Sequence, residues 1–236
     1  MNTTVSPRPL GPLVDSMPRA LPARVAVRGR FVVLEPLHVR HAAELWEAAQ
    51  GERAPESWDY LGYGPFVDEA GMARHVAGMA AQHDPMPWAV RPVATGVVSG
   101  WLTLMDMQPA NAAIEIGHIW FAPRMQRTRA ATEAMFLLMR LAMDELGYRR
   151  LVWKCNALNG PSCRAAERLG FTYEGTLRSH QVVKGRERDT AFFSILAAEW
   201  PRCRDALRAW LDDGNAAPDG TTRRGLGEIR AGLSGT

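Results

Sequence analysis

Hydrophobic and polar positions along the chain switch between a strand period and a helix period, and the switches divide it into elements. Phe31-Val32-Val33-Leu34 is a β-rich run stopped by Pro36, after which Ala42, Leu45, Trp46 and Ala49 fall at helical spacing between His41 and Gln50. Trp58 to Phe66 is aromatic and punctuated by Gly and Pro, which is loop chemistry, and Asp68 then caps a second helix running to Gln82. Three extended runs follow, Trp88 to Pro92, Gly96 to Met105 and Ala113 to Phe121, separated by turn-forming residues that predict a meander. Pro123 ends the third. Ala130 to Leu146 is the strongest helical pattern, with Ala134, Leu138, Leu141 and Met143 to Leu146 on one stripe and Gly147 as its stop. A strand from Leu151 to Cys155 and a helix from Ser162 to Leu169, ended by Gly170, come next. Two further strands, Tyr173 to Val183 and Asp189 to Leu196, flank the turn Lys184-Gly185-Arg186, and a final helix covers Glu199 to Leu211. No internal repeat with a period of about 20 to 50 residues interrupts this order. The class is mixed α/β.

Composition narrows the picture without changing it. A chain of 236 residues that is 47% hydrophobic and 22% charged suits one globular domain. No run approaches the ~18 apolar residues of a membrane span, and Pro7, Pro9, Pro12, Pro18 and Pro22 occupy the place of a signal peptide's apolar stretch. A cytoplasmic protein with no membrane partner is expected. Cys155, Cys163 and Cys203 form no CxxC pair and no metal-ligand spacing, so neither a disulfide framework nor a metal is expected. Residues 1–24 read as a flexible arm, 25–213 as the domain, and 214–236 as a C-terminal tail that is partly disordered.

Net charge is only +3, but Arg124, Arg127 and Arg129 cluster at the start of the long helix. A short basic cluster lacks the aromatics interleaved along a groove that nucleic-acid binding needs. It suits an anion, because helix N-terminal N–H groups and the helix dipole bind phosphate. The unit of interest is therefore the strand Glu115 to Phe121, the loop Ala122 to Arg129 and the helix after it.

These residues resemble the GNAT acyltransferases. In that superfamily the pyrophosphate of acyl-CoA lies on a loop of pattern Q/R-x-x-G-x-G/A, and this chain reads Gln126-Arg127-Thr128-Arg129-Ala130-Ala131. Arg129 stands where glycine is usual: either its guanidinium takes phosphate directly or its bulk narrows the site. Asn159-Gly160-Pro161-Ser162 followed by Arg168-Leu169-Gly170-Phe171 resembles the N-x-x-S... G-F signature of the branch that includes ribosomal-protein N-terminal (alanine/serine) acetyltransferases. Glu35-Pro36-Leu37 with His41-Ala42, and Lys184-Gly185-Arg186 with Asp189-Thr190, resemble the opening and closing elements. The matches keep family order over residues 30–200.

The resemblance implies a GNAT fold: a central, mostly antiparallel, splayed mixed sheet flanked by helices. It implies acetyl-CoA or another short acyl-CoA, such as succinyl-CoA, as co-substrate, no metal, and a small-molecule amine or protein N-terminus as acceptor. Ile119, Trp120 and Phe121 would meet the pantetheine and the developing oxyanion, and residues Gln126 to Ala131 the pyrophosphate. Asn159 and Ser162 would complete the acyl-CoA site. Ser162 is the candidate for protonating the leaving thiolate, because Ala166 occupies the place where many members carry a tyrosine. Glu115 and His118 lie three apart on one strand, hence on opposite faces if it is regular. Glu115, sharing its face with Gly117, is either the base or amine anchor or a structural glutamate. His118 reads as a packed histidine, with a substrate-wall role as its alternative. Trp58, Tyr60, Tyr63 and Phe66 either wall an acceptor pocket or cap a core. A catalytically silent acyl-CoA-sensing or interaction module is the competing reading, favoured by Arg129 and Ala166. Trp200, Leu207 and Trp210 offer apolar surface for a homodimer.

Overall fold

The computed structural model describes residues 10–51, 53–217 and 221–233; the first nine residues of the expected arm, and 218–220 and 234–236 of the expected tail, lie outside it. The strand-forming runs become β1 (Val27–Arg28), β2 (Val32–Pro36), β3 (Met86–Pro92), β4 (Gly100–Gln108), β5 (Ala113–Phe121), β6 (Arg150–Asn156), β7 (Thr172–Val183) and β8 (Arg186–Leu196). They form one sheet in the order β1-β2-β3-β4-β5-β6-β8-β7. Neighbours are antiparallel except β5 and β6, which pair in parallel only where Ala113 to Glu115 meet Arg150 to Val152. Beyond Glu115, β5 stays with β4 and β6 stays with β8, so the two middle strands part and open a wedge. This is the mixed α/β, mostly antiparallel, splayed architecture expected from the sequence.

The helices are α1 (Ala42–Ala48), α2 (Glu69–Ala80), α3 (Arg129–Arg140), α4 (Gly160–Leu169), α5 (Trp200–Leu211) and α6 (Leu226–Gly232). Their starts are written in short polar side chains. Asp68 accepts from Gly71 N at 2.6 Å, Thr128 from Ala131 N at 3.0 Å and Asn159 from Ser162 N at 3.1 Å, each satisfying an orphan N–H of the first turn. Alternate strand residues then sort the helices onto two faces. Trp88, Val90, Leu102, Leu104, Ile114 and Ile116 join the cluster that contains the buried residues of α3 and α5, whereas Ala89, Trp101 and Trp120 join Leu45, Met72 and Val76 of α1 and α2. Glu133, buried on α3, accepts from the backbone N–H groups of Arg30 (2.9 Å), Phe31 (2.6 Å) and Val32 (3.0 Å) and so ties the entry of β2 to the helix layer.

Several boundaries differ from the sequence reading. β4 begins at Gly100, where φ is +156° and an added Cβ would sit 2.3 Å from the Trp120 carbonyl oxygen; Gly96 to Ser99 form the approach to it. The long helix keeps α-geometry only to Arg140, and Leu141–Glu145 wind as a π-turn before Gly147 at φ +68°. In the segment read as a tail, α6 packs on α5 with Leu226 and Ile229 buried. Trp200, Leu207 and Trp210, expected to offer a dimer face, are buried within the chain itself and present no free surface. The periodicity of α5 showed that these positions seek apolar cover but not which element supplies it. Among the described residues no helix is long and apolar enough to cross a membrane.

Candidate active site

The wedge between β5 and β6 is a cleft of about 290 Å³. β5 and β6 form its walls, Asn159 and Ser162 at the start of α4 close one end, Ser57, Tyr60, Leu61 and Gly62 another, and Gln181, Arg188 and Thr190 reach in from the β7–β8 hairpin. The wall on β5 is irregular. Trp101 registers with Trp120 but Thr103 with Gly117, so β5 spends one residue more than β4 over that interval. His118, at φ +46°, takes up the extra residue, and Thr103 Oγ1 donates to the Gly117 carbonyl at 2.9 Å. A bulge interrupts the ladder and re-aims side chains. The expectation that Glu115 and His118 face opposite ways, which assumed a regular strand, is therefore corrected: both line the cleft. Ile119 lines it too, beside the bulge.

Glu115 is 5% exposed, and Lys154 Nζ lies 2.7 Å from its Oε2 and 2.7 Å from Asp106 Oδ2. Burial raises the Glu115 pKa, the Lys154 hydrogen bond and charge oppose this in part, and Asp106 adds to the rise. Burial alone would depress Lys154, but its bonds to Asp106 and Glu115 outweigh it and hold the ammonium above its ordinary value. Gly117 keeps the space open, since a Cβ there would lie 2.9 Å from Glu115 Oε1 and 2.8 Å from Met105 Sδ. Opposite, Ser162 Oγ accepts from Trp153 Nε1 at 3.1 Å, which leaves its own proton to donate. Cys155 Sγ is 3.6 Å from Cys163 Sγ, and burial pushes the Cys155 thiol up to about 12, so it is no nucleophile at neutral pH. Partial burial also lowers the His118 pKa, with Arg188 adding to the effect.

The aromatic loop divides. Tyr60 lines the cleft and donates to Leu158 O at 3.1 Å. Tyr63 stacks on His118 with centroids 5.7 Å apart, and burial pushes its phenol up to about 12. Trp58 is 1% exposed and stacked on Trp120 at 4.4 Å, with Phe66 edge-on at 5.4 Å; these two side chains belong to the core around α1 and α2 and do not wall the cleft. The Trp120 side chain is buried with them, so only its backbone faces other uses.

At the other end of β5 the loop before α3 carries Gln126, whose Nε2 donates to Phe121 O at 3.0 Å, and Arg127 at φ +61°. Thr128 caps the helix that begins Arg129-Ala130-Ala131. The Arg129 guanidinium turns away from that N-terminus: it donates to Leu211 O and Asp212 O, pairs with Asp213 at 3.5 Å, and lies 4.3 Å over the Phe31 ring. The open choice between phosphate contact and a narrowed site is thus resolved by a third outcome, a clamp onto the end of α5. Arg124 and Arg127 stay exposed beside the loop. Lys154, Asp106 and Arg188 were missed by the sequence reading; the only hint was that Lys154 alternates with the buried Trp153 and Cys155.

Comparisons with known proteins agree with this geometry. The family model described as acetyltransferase (GNAT) domain matches residues 32–172. The chain is 44% identical to a solved GCN5-related N-acetyltransferase from Brucella melitensis, covering 91% of this chain and 98% of that one with a TM-score of 0.89. A solved GNAT-family chain from Chromobacterium violaceum is 42% identical, covers 84% of this chain and 100% of its own, and has a TM-score of 0.76. The Bacillus subtilis protein YdaF, named for a ribosomal N-acetyltransferase, is 32% identical over 106 residues, which span 44% of this chain and 57% of YdaF.

Proposed function

The chain belongs to the GNAT acetyltransferase family and is an acyl-CoA-dependent acyltransferase, and we propose that it moves an acetyl or short acyl group from acyl-CoA to a primary amine by direct attack in a ternary complex. The observation that carries this reading is the Glu115 carboxylate, buried where β5 and β6 part, with a raised pKa and an open cleft before it. A primary amine near pKa 10 is mostly ammonium at neutral pH and must lose a proton before it attacks. Glu115, directly or through one water, takes that proton. The amine nitrogen then bonds to the thioester carbon, and the oxyanion settles against backbone N–H groups of the bulged stretch around Ile119. When the C–S bond breaks, the thiolate takes a proton from Ser162. Asn159 fixes Ser162 by capping α4. The free N–H groups at the start of α3, with Arg124 and Arg127 beside them, hold the pyrophosphate.

The acceptor is a small-molecule amine or a protein N-terminus, a choice toward which the likeness to YdaF leans on the protein side. CoA release from acetyl-CoA, followed by thiol detection with a panel of amines and N-terminal peptides, tests the reading. Amine-dependent release is expected, and Glu115→Gln lowers kcat at neutral pH by about 100-fold while acetyl-CoA affinity stays within about threefold. Equal turnover of E115Q across pH would remove Glu115 as base, and release indifferent to every amine would sink amine transfer.

A further inference from the structure

Resting on the amine-acylating reading above, we infer that Arg188 reads a carboxylate carried by one of the two substrates. Arg188 stands on β8, registered with Gln181 of β7, and enters the same cleft as Glu115, His118 and Ser162. Its Nε is shut off from solvent with no hydrogen-bond partner, and no ion pair engages its guanidinium among the described residues. The other partly buried cations of these strands are held: Lys154 by Glu115 and Asp106, Arg150 by Glu174, and Arg91 by Glu35 and Glu44. A half-buried guanidinium with an orphaned N–H and no ion pair carries a desolvation penalty that a bound anion would relieve. Burial lowers its pKa, and Cys155 and Glu115 restore it only in part, which is how an incompletely compensated cation behaves. Its planar fork matches a carboxylate with two parallel hydrogen bonds. The Glu115 charge does not repel such a group strongly, because Lys154 already faces it at 2.7 Å.

The carboxylate has two sources, the distal end of a dicarboxylic acyl chain or the acceptor amine, and two arms separate them. In the first, wild type, Arg188→Met and Arg188→Lys are titrated calorimetrically with acetyl-CoA, succinyl-CoA and CoA. In the second, acetyl transfer to α-amino acids is compared with transfer to their carboxamides. A preference for the carboxylate-bearing partner of about tenfold or more, in either arm, is expected in wild type. R188M loses that preference while binding acetyl-CoA as wild type does, and R188K, which keeps charge without the fork, retains part of it. Succinyl-CoA preference assigns the acyl chain; amino-acid preference assigns the acceptor. No preference in either arm, or a preference that survives in R188M, overturns the inference while leaving amine acylation standing. Failure of wild type to bind any acyl-CoA overturns both. An acidic limb of the rate profile that moves in R188M with no change in substrate preference also overturns it, since Arg188 would then serve only the Glu115 charge.

Discussion

Replacing Lys154 with methionine isolates the charge chemistry of the cleft. The ammonium sits 2.7 Å from Glu115 Oε2, and Glu115 is 5% exposed while the Lys154 side chain is 24% exposed. At that separation and an effective dielectric near 20 the bare attraction is about 6 kcal/mol, and desolvation of both groups takes back much of it. Removing one partner of such a pair costs about 3–5 kcal/mol when the remaining charge stays, but a carboxylate escapes most of that by binding a proton. At about 1.4 kcal/mol per pKa unit, an escape worth about 3 kcal/mol raises Glu115 by about two units. Glu115 already lies above the ordinary carboxylate value through burial, so the variant titrates higher still. The proposed base role needs the deprotonated form, which exists above the pKa. The acidic limb of kcat/KM should therefore move up by about two pH units in K154M, with activity reduced at neutral pH and recovering in alkali. Amine-dependent CoA release measured from about pH 5 to pH 9 reads this directly. Lys154→Arg, which keeps the cation, should restore most of the wild-type profile. An acidic limb that stays in place in K154M refutes the coupling and removes Glu115 as the titrating base.

Three other expectations concern the framework. Glu133→Ala strips acceptors from three backbone N–H groups at 2.6–3.0 Å and should cost about 3–5 kcal/mol in denaturant unfolding; a loss below about 1 kcal/mol would mean water replaces the carboxylate. Arg129→Ala should lower stability by about 1–2 kcal/mol through the lost clamp on Leu211, Asp212 and Asp213. Its acetyl-CoA affinity should change by less than about threefold, whereas a tenfold weakening would return the guanidinium to the phosphate. Burial and His118 lower the His75 pKa from 6.5 to about 4, so the folded state binds fewer protons than the unfolded one. The stability this supplies is complete above 6.5 and is lost as pH falls toward 4, by at most about 3 kcal/mol. His75→Phe, set between Tyr63 and Phe66, should flatten that decline in thermal melts, and an equal decline in the variant would place the acid sensitivity elsewhere.

Local chemistry along the chain was enough to determine most of the elements. Caps such as Asp68, Thr128 and Asn159 act on the N–H groups two or three residues ahead, and helix stripes and strand alternation report which side seeks apolar cover, so both are readable without knowing the neighbours. Glu115 and Ser162 became candidates through the family resemblance, and the fold brings both to one cleft. Tertiary structure decided what depends on residues far apart. The bulge at His118 comes from a mismatch in length between β4 and β5, and it alone brings His118 into the cleft with Glu115. Trp58 turned inward because Trp120, 62 positions along by residue number, offered it a face. The partners of Arg129 lie 82 to 84 residues away. Lys154, Asp106 and Arg188 meet Glu115 from three other strands, and charge balance inside a cleft is a property of distance and burial, which no spacing within one strand encodes.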